Sequence, residues 1–215
     1  MKKSTSGRLL GALLVTTGLS LGAPQVGAAV LPSGVMNDVP QATVTDWGFK
    51  ICFSGAYGVA GTSIASILSG CDGDYLMMAA RAVGSSTFDV LATGNFADVT
   101  YNTGTSNTPH IANNVAWYFS DNYSWGFAGP DDTLNRSSCD GWDYFNGQAL
   151  ERDRLCWHTA TGNLSGGWRA GDNIWLNDST TWERLLLTSN LVPEPGTLTL
   201  MGFGLAALFR RRKRT

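Results

Sequence analysis

The chain is 215 residues long and carries 15 basic and 17 acidic side chains, a formal charge of −2 that conceals an uneven distribution. Residues 29–192 hold seven basic and sixteen acidic side chains, a charge of −9, whereas three basic residues fall in the first 28 positions and five in the last six. An acidic body between basic ends offers no cationic surface for phosphate, which excludes nucleic acid and anionic lipid as partners of the body; neutral glycans, calcium or no ligand remain.

The N-terminus has Lys2, Lys3 and Arg8, an apolar stretch from Leu9 to Leu21, and small residues at Val26-Gly27-Ala28. Charged, apolar and small-residue regions in that order describe a secretory signal peptide over residues 1–28, cut after Ala28 or one residue later. A spanning helix is the competing reading, but thirteen apolar residues rise only about 20 Å against roughly 30 Å of hydrocarbon.

Removing the leader and the tail leaves roughly 160 residues, enough for one domain with a core and short for two. That domain, 29–191, reads as short β segments between Gly, Asn, Asp and Ser turns: 43–53, 75–83, 86–94, 96–104, 113–120, 124–128, 154–160, 173–177 and 182–189. Alternation of Phe88 and Val90 with Thr87 and Asp89 predicts one buried face, and Trp117 with Phe119 is predicted opposite Tyr118. Residues 58–70 read as a short helix or a glycine-rich loop. The expectation is an all-β fold, an antiparallel β-sandwich or jelly roll. The repeated Cys-Asp-Gly at 71–73 and 139–141 is too short to set against chance.

All four cysteines, Cys52, Cys71, Cys139 and Cys156, lie in the exported part, where an even count predicts two disulfides with three possible connectivities. Proximity in sequence favours Cys52–Cys71 with Cys139–Cys156. Zinc is a poor alternative, because no Cys-x-x-Cys spacing occurs and the chain has only two histidines. No cofactor is expected, although Asp131, Asp132 and Asp140 form a weak calcium set, since crowded loop carboxylates can share a hard cation. The more ordinary role of such residues is turn capping.

All eight tryptophans lie in the body. Flat rings stack on the C–H faces of sugars while Asp, Asn and Arg take the hydroxyls, so Trp125, Trp142, Asp143, Trp168 and Arg169 are candidate glycan contacts. Core filling is the competing role, above all for Trp157 beside Cys156. Catalytic candidates are weaker. His158 with Asp140 or Asp153 and Ser137 or Ser138, or Glu151 paired with Glu183, can be drawn as hydrolase sites, yet G-x-S-x-G and H-E-x-x-H are absent from the body. The body is therefore expected to be no enzyme, with a secreted polysaccharide hydrolase as the alternative.

The chain ends Val192-Pro193-Glu194-Pro195-Gly196, then an apolar run from Thr197 to Phe209, then Arg-Arg-Arg-Lys-Arg-Thr. Thirteen apolar residues are marginal for a permanent span of about 30 Å, but basic residues held on the cytoplasmic side can pause translocation. Two prolines extend the triplet and block helix there, leaving a peptide an enzyme can grip. This three-part order over residues 192–215 resembles the PEP-CTERM sorting signal of exported bacterial proteins. The resemblance implies that Pro193, Glu194, Pro195 and Gly196 form the processing motif of an exosortase, and that a short transmembrane helix holds the chain transiently at the inner membrane. It further implies delivery to the cell envelope, outer surface or exopolysaccharide (biofilm) matrix of a Gram-negative bacterium. The resemblance does not extend to the body.

Overall fold

The computed structural model describes residues 30–134 and 152–190, which form mostly antiparallel β-sheet with a few short helices. In chain order the first half comprises β1 (Val35–Pro40), α1 (Gln41–Asp46), β2 (Lys50–Ala56), β3 (Thr62–Ser63), α2 (Ile64–Ser69) and β4 (Tyr75–Ala82). There follow β5 (Thr87–Asn95), α3 (Phe96–Val99), β6 (His110–Ala112), β7 (Val115–Phe119) and β8 (Ser124–Ala128). The last strands are β9 (Leu155–Ala160), β10 (Asn163–Ala170), β11 (Asn173–Ile174) and β12 (Trp182–Ser189). One sheet has the order β1-β5-β4-β12-β2; the other runs β11-β10-β9-β8-β7-β6, with β3 also paired to β10.

Both sheets bury side chains in one cluster. Leu76, Met78 and Ala80 of β4, Val90 and Ala92 of β5 and Leu186 of β12 meet Trp117, Phe119, Trp125, Phe127, Leu155 and Trp157 from the second sheet. The alternate residues of β4, Met77 and Ala79, join Leu185 and Leu187 on the outer face of the first sheet, where Val39, Val44 and Phe49 cover them. Strands apolar on both faces therefore need a second layer on each side, and α1 supplies the outer one through Val44. This explains why residues 43–46, expected to be strand, form helix: only a turn there brings Val44 and Phe49 onto the same apolar face. Residues 96–99 likewise form α3 and not strand, seating Val99 in the shared core.

The expected opposition of Trp117 and Phe119 to Tyr118 is present: the first two enter the shared core, and Tyr118 packs on the outer face with Ala116 and Cys156. Phe88 and Val90, expected on one face, part company. Val90 joins the shared core while Phe88 joins the outer cluster, beneath the Arg81 guanidinium at 5.0 Å. The irregular residue Asp38, at φ 54°, falls on β1 between the partners of these two residues. Of residues 58–70, α2 occupies the second half, with Ser63 capping its start by accepting the Ser66 N–H at 3.3 Å.

A buried polar clasp joins the two sheets. Arg184 of β12 is fully buried and donates to Gly166 O at 2.7 Å, to Ala56 O at 3.0 Å and to Val59 O. Its guanidinium lies 5.7 Å from the Tyr57 ring centre. The Tyr57 hydroxyl donates to Arg169 O at 3.1 Å and accepts the Trp157 indole N–H at 3.2 Å. Burial pulls Arg184 down to about 10, against the opposing influence of Tyr57, so it remains a cation at neutral pH. Burial also pushes the Tyr57 phenol up, outweighing the Trp157 hydrogen bond and the Arg184 charge. Gly167 is obligatory beside this clasp, since a β carbon would stand 2.6 Å from the Tyr57 ring and 2.8 Å from Cys156 O.

One disulfide is present among the described residues, Cys52–Cys71, tying β2 to the turn before β4. This is the expected Cys52–Cys71 pairing; the other expected bridge, Cys139–Cys156, involves Cys139, which lies outside the described residues. Closing a loop of 19 residues contributes about 3 kcal/mol in the chain-entropy picture. Among the described residues no helix is long and apolar enough to cross a membrane; the expected leader 1–28 and the apolar run 197–209 lie outside them.

Replacing Arg184 by Met should leave the carbonyls of Gly166, Ala56 and Val59 without their donor, at a cost on the order of 3 kcal/mol. Urea unfolding would read this as a midpoint lowered at unchanged slope. Reduction of the described disulfide should cost about 3 kcal/mol, a fall in Tm of roughly 6–12 °C for a body of this size.

Candidate functional site

A body that meets other molecules must do so with groups left outside its core, so exposure sorts the tryptophans. Trp125 is wholly interior, packed edge-on against Phe119 at 5.1 Å and Trp157 at 5.4 Å, and donates its indole N–H to Val99 O at 3.0 Å. It cannot reach a glycan. Arg169 is equally buried, its Nε donating to Gly171 O at 3.0 Å, so its guanidinium serves the β10–β11 turn and not a ligand. Trp168 packs with Tyr118, Leu134 and Cys156 on the outer face of the second sheet. Trp142 and Asp143 lie outside the described residues.

Among the described residues the exposed tryptophan is Trp175. Gly171, at φ 61°, and Asp172 turn β10 into β11, pairing Arg169 with Ile174 and Ala170 with Asn173. The chain then plunges: Leu176 is buried in the shared core and its N–H donates to Trp168 O at 3.2 Å. Trp175, caught between strand and anchor, takes φ 65° and stays 56% exposed. A left-handed conformation at a bulky residue costs on the order of 1 kcal/mol or more and persists only where the surroundings impose it. Trp168 stands edge-on to it with ring centres 4.1 Å apart, stiffening the platform. Asp172, Asn177 and Asp178 are exposed on the same loop. An immobilised indole face on a loop that also exposes carboxylates matches the recognition needs of a neutral sugar, while the Asn177 side-chain oxygen is engaged by the Gly167 N–H at 3.2 Å. Sequence reading passed over Trp175 in favour of Trp168; the signal was Leu176, whose burial forces its neighbour outward.

A second group lies at the other end of this sheet. His110 Nε2 is 2.8 Å from Asp98 Oδ1, Asn95 Nδ2 donates to Asp98 Oδ2 at 2.9 Å, and Tyr101, 54% exposed, stacks on the imidazole at 4.4 Å. Burial raises the Asp98 carboxyl, but the hydrogen bonds from His110 and Asn95 and the His110 charge outweigh it and hold the group below the usual carboxylate range. The arrangement can orient an imidazole. Among the described residues no hydroxyl or thiol side chain is hydrogen-bonded to that imidazole.

The other sequence candidates are dispersed. Glu183 accepts from Arg81 Nε at 2.6 Å and from Ser54 Oγ, and Asp153 accepts from Asn37 at 2.6 Å. Asp132 accepts the Gly129 N–H at 2.9 Å and faces the buried Arg154 at 3.5 Å, a turn-capping and ion-pairing role; Asp131 is exposed. Among the described residues no three His, Cys, Asp or Glu side chains group together closely enough to hold a metal. Ser137, Ser138, Asp140, Glu151 and the motif Pro193–Gly196 lie outside the described residues.

A family profile for the PEP-CTERM protein-sorting motif matches residues 191–214. Neither a search of curated proteins nor one of solved structures returned a match.

His158 makes the stability of the body depend on pH. Burial and the nearby Arg184 cation push its imidazole below the ordinary value, opposed by a hydrogen bond with Asn177. The unfolded chain then binds the proton more readily, so the stability it contributes is complete above about pH 6.5 and is lost as pH falls from there toward the folded value. Urea unfolding should show lower stability at pH 5 than at pH 7, and His158→Gln should flatten that difference.

Proposed function

We propose that the chain, which carries a PEP-CTERM protein-sorting motif at residues 191–214 and is thereby marked for export and delivery to the cell envelope, acts there as a structural or glycan-associating module of the extracellular polysaccharide matrix. The observation that carries this reading is the motif itself: it gives the body a destination in which the abundant ligand is polysaccharide. The exposed, braced Trp175, on a loop that also exposes Asp172 and Asp178, supports it, because a neutral sugar needs an apolar face and hydroxyl partners and no cationic pocket. Two antiparallel sheets sharing one core support reading the body as a β-sandwich. An exosortase is the processing partner, and the apolar run 197–209 holds the precursor transiently at the inner membrane. No catalytic step is assigned.

In a host that produces the exosortase, intact mass of the mature protein should lack residues 1–28 and the run following Pro195, and Glu194→Ala should accumulate as the unprocessed form. Mature material that retains Phe209 defeats the sorting reading. For the body, Trp175→Ala should weaken retention on the host's own exopolysaccharide by about tenfold, corresponding to the roughly 1–1.5 kcal/mol of one stacked ring, whereas Tyr101→Ala should not. Release of reducing ends by the wild-type protein would instead establish a hydrolase.

A further inference from the structure

The point at which the chain leaves the folded body is held on several sides. β12 is a central strand: Ser189 pairs with Tyr75 of β4, and Thr188 pairs with both Leu76 and Lys50, the latter in β2. Immediately beyond, Asn190 Oδ1 accepts the Asp74 N–H at 3.1 Å. The backbone of Gly73 lies so close to this exit that a β carbon would collide with Thr188 Oγ1 and the Ser189 carbonyl. The Cys52–Cys71 bridge ties that turn to β2, the strand on the opposite side of β12.

Only Leu191 and Val192 separate Asn190 from Pro193. Whatever path they take, consecutive Cα atoms are 3.8 Å apart, so the triplet begins within about 11 Å of the anchored residue. The apolar run starts at Thr197, within about 25 Å. Slack could come only from peeling β12, whose residues Leu185 to Ser189 are buried, Leu185 to Thr188 paired on both sides and Ser189 paired with β4. An enzyme that grips Pro193-Glu194-Pro195 is therefore brought against the end of the first sheet. We propose that this exit face, formed by Asp72, Gly73, Asp74 and Tyr75 with Lys50 at its margin, is the surface on which the body rests against the exosortase during processing. Asp72, Asp74 and Lys50 are exposed. The two carboxylates disfavour an anionic lipid surface as the alternative occupant. The proposal rests on the sorting reading above.

The test uses the full chain in a host with a catalytically blocked exosortase, with a photo-crosslinking amino acid placed at Asp72 or at Val83, which is 55% exposed at the far end of β4. An adduct of body plus exosortase is expected from position 72 and none from position 83. A lipid adduct at 72, no adduct at 72, or equal adducts from both positions would overturn the proposed surface. Processing of Glu194→Ala by active enzyme separates the two claims. If that variant is processed like the wild type, the sorting reading fails; if it is blocked and position 72 captures no enzyme, only the surface is wrong.

Discussion

The structure depends on one cation placed where water cannot reach it. Arg184 sits on an interior strand of the first sheet, and its two terminal nitrogens donate to carbonyl oxygens from the end of β2, from the segment after it and from β10, while its buried Nε has no hydrogen-bond partner among the described residues. Among the described residues no carboxylate pairs with it, which is why burial lowers its pKa to about 10. A buried charge held only by carbonyl dipoles tolerates little displacement, because the desolvation cost is repaid only while each hydrogen bond is made. Tyr57 and Trp157 extend the clasp into β9 and β10. The two sheets are thus registered by directional bonds as well as by apolar burial.

That registration decides where the molecule can meet anything else. With both faces of β4 and β12 covered, the first sheet has no broad open face, and contacts fall to the ends of strands and to the loops. Trp175 is exposed because Leu176 is drawn inward beside the clasped strand β10. Tyr101 and His110 occupy the opposite end, fixed by Asp98 from the short α3. The sorting motif follows two residues after the last anchored residue of a central strand. Folding of the body and presentation of the motif are therefore coupled by chain length, since β12 cannot give up residues without opening both its ladders.

Much of the strand content was legible because turn residues bound short apolar segments: β8 and β12 occur over the very residues expected. β10 was missed, as its Gly166-Gly167 pair reads as loop, yet glycine is required there for Tyr57 to approach the backbone. α1 and α3 were read as strand because a single turn carries no helical period; their form is set by the outer apolar surface they cover and by the seat of Val99. Among the candidate site residues, Trp125 and Arg169 proved interior and Trp168 became the support for a ring that sequence reading had not singled out. Tryptophan count signals aromatic surface, but which face of a strand points outward depends on register.

By itself, then, the sequence determined the β-rich class and the sorting signal. Each is written in contiguous residues: short alternating segments between turns, and the ordered triplet, apolar run and basic end that the family profile matches at residues 191–214. Only the tertiary structure decided which tryptophan faces solvent, that Glu183 is tied to Arg81, and that a buried arginine clasps the two sheets. The last two depend on contacts between residues more than a hundred positions apart, Arg81 with Glu183 and Arg184 with Ala56, and no local pattern encodes a distance of that kind.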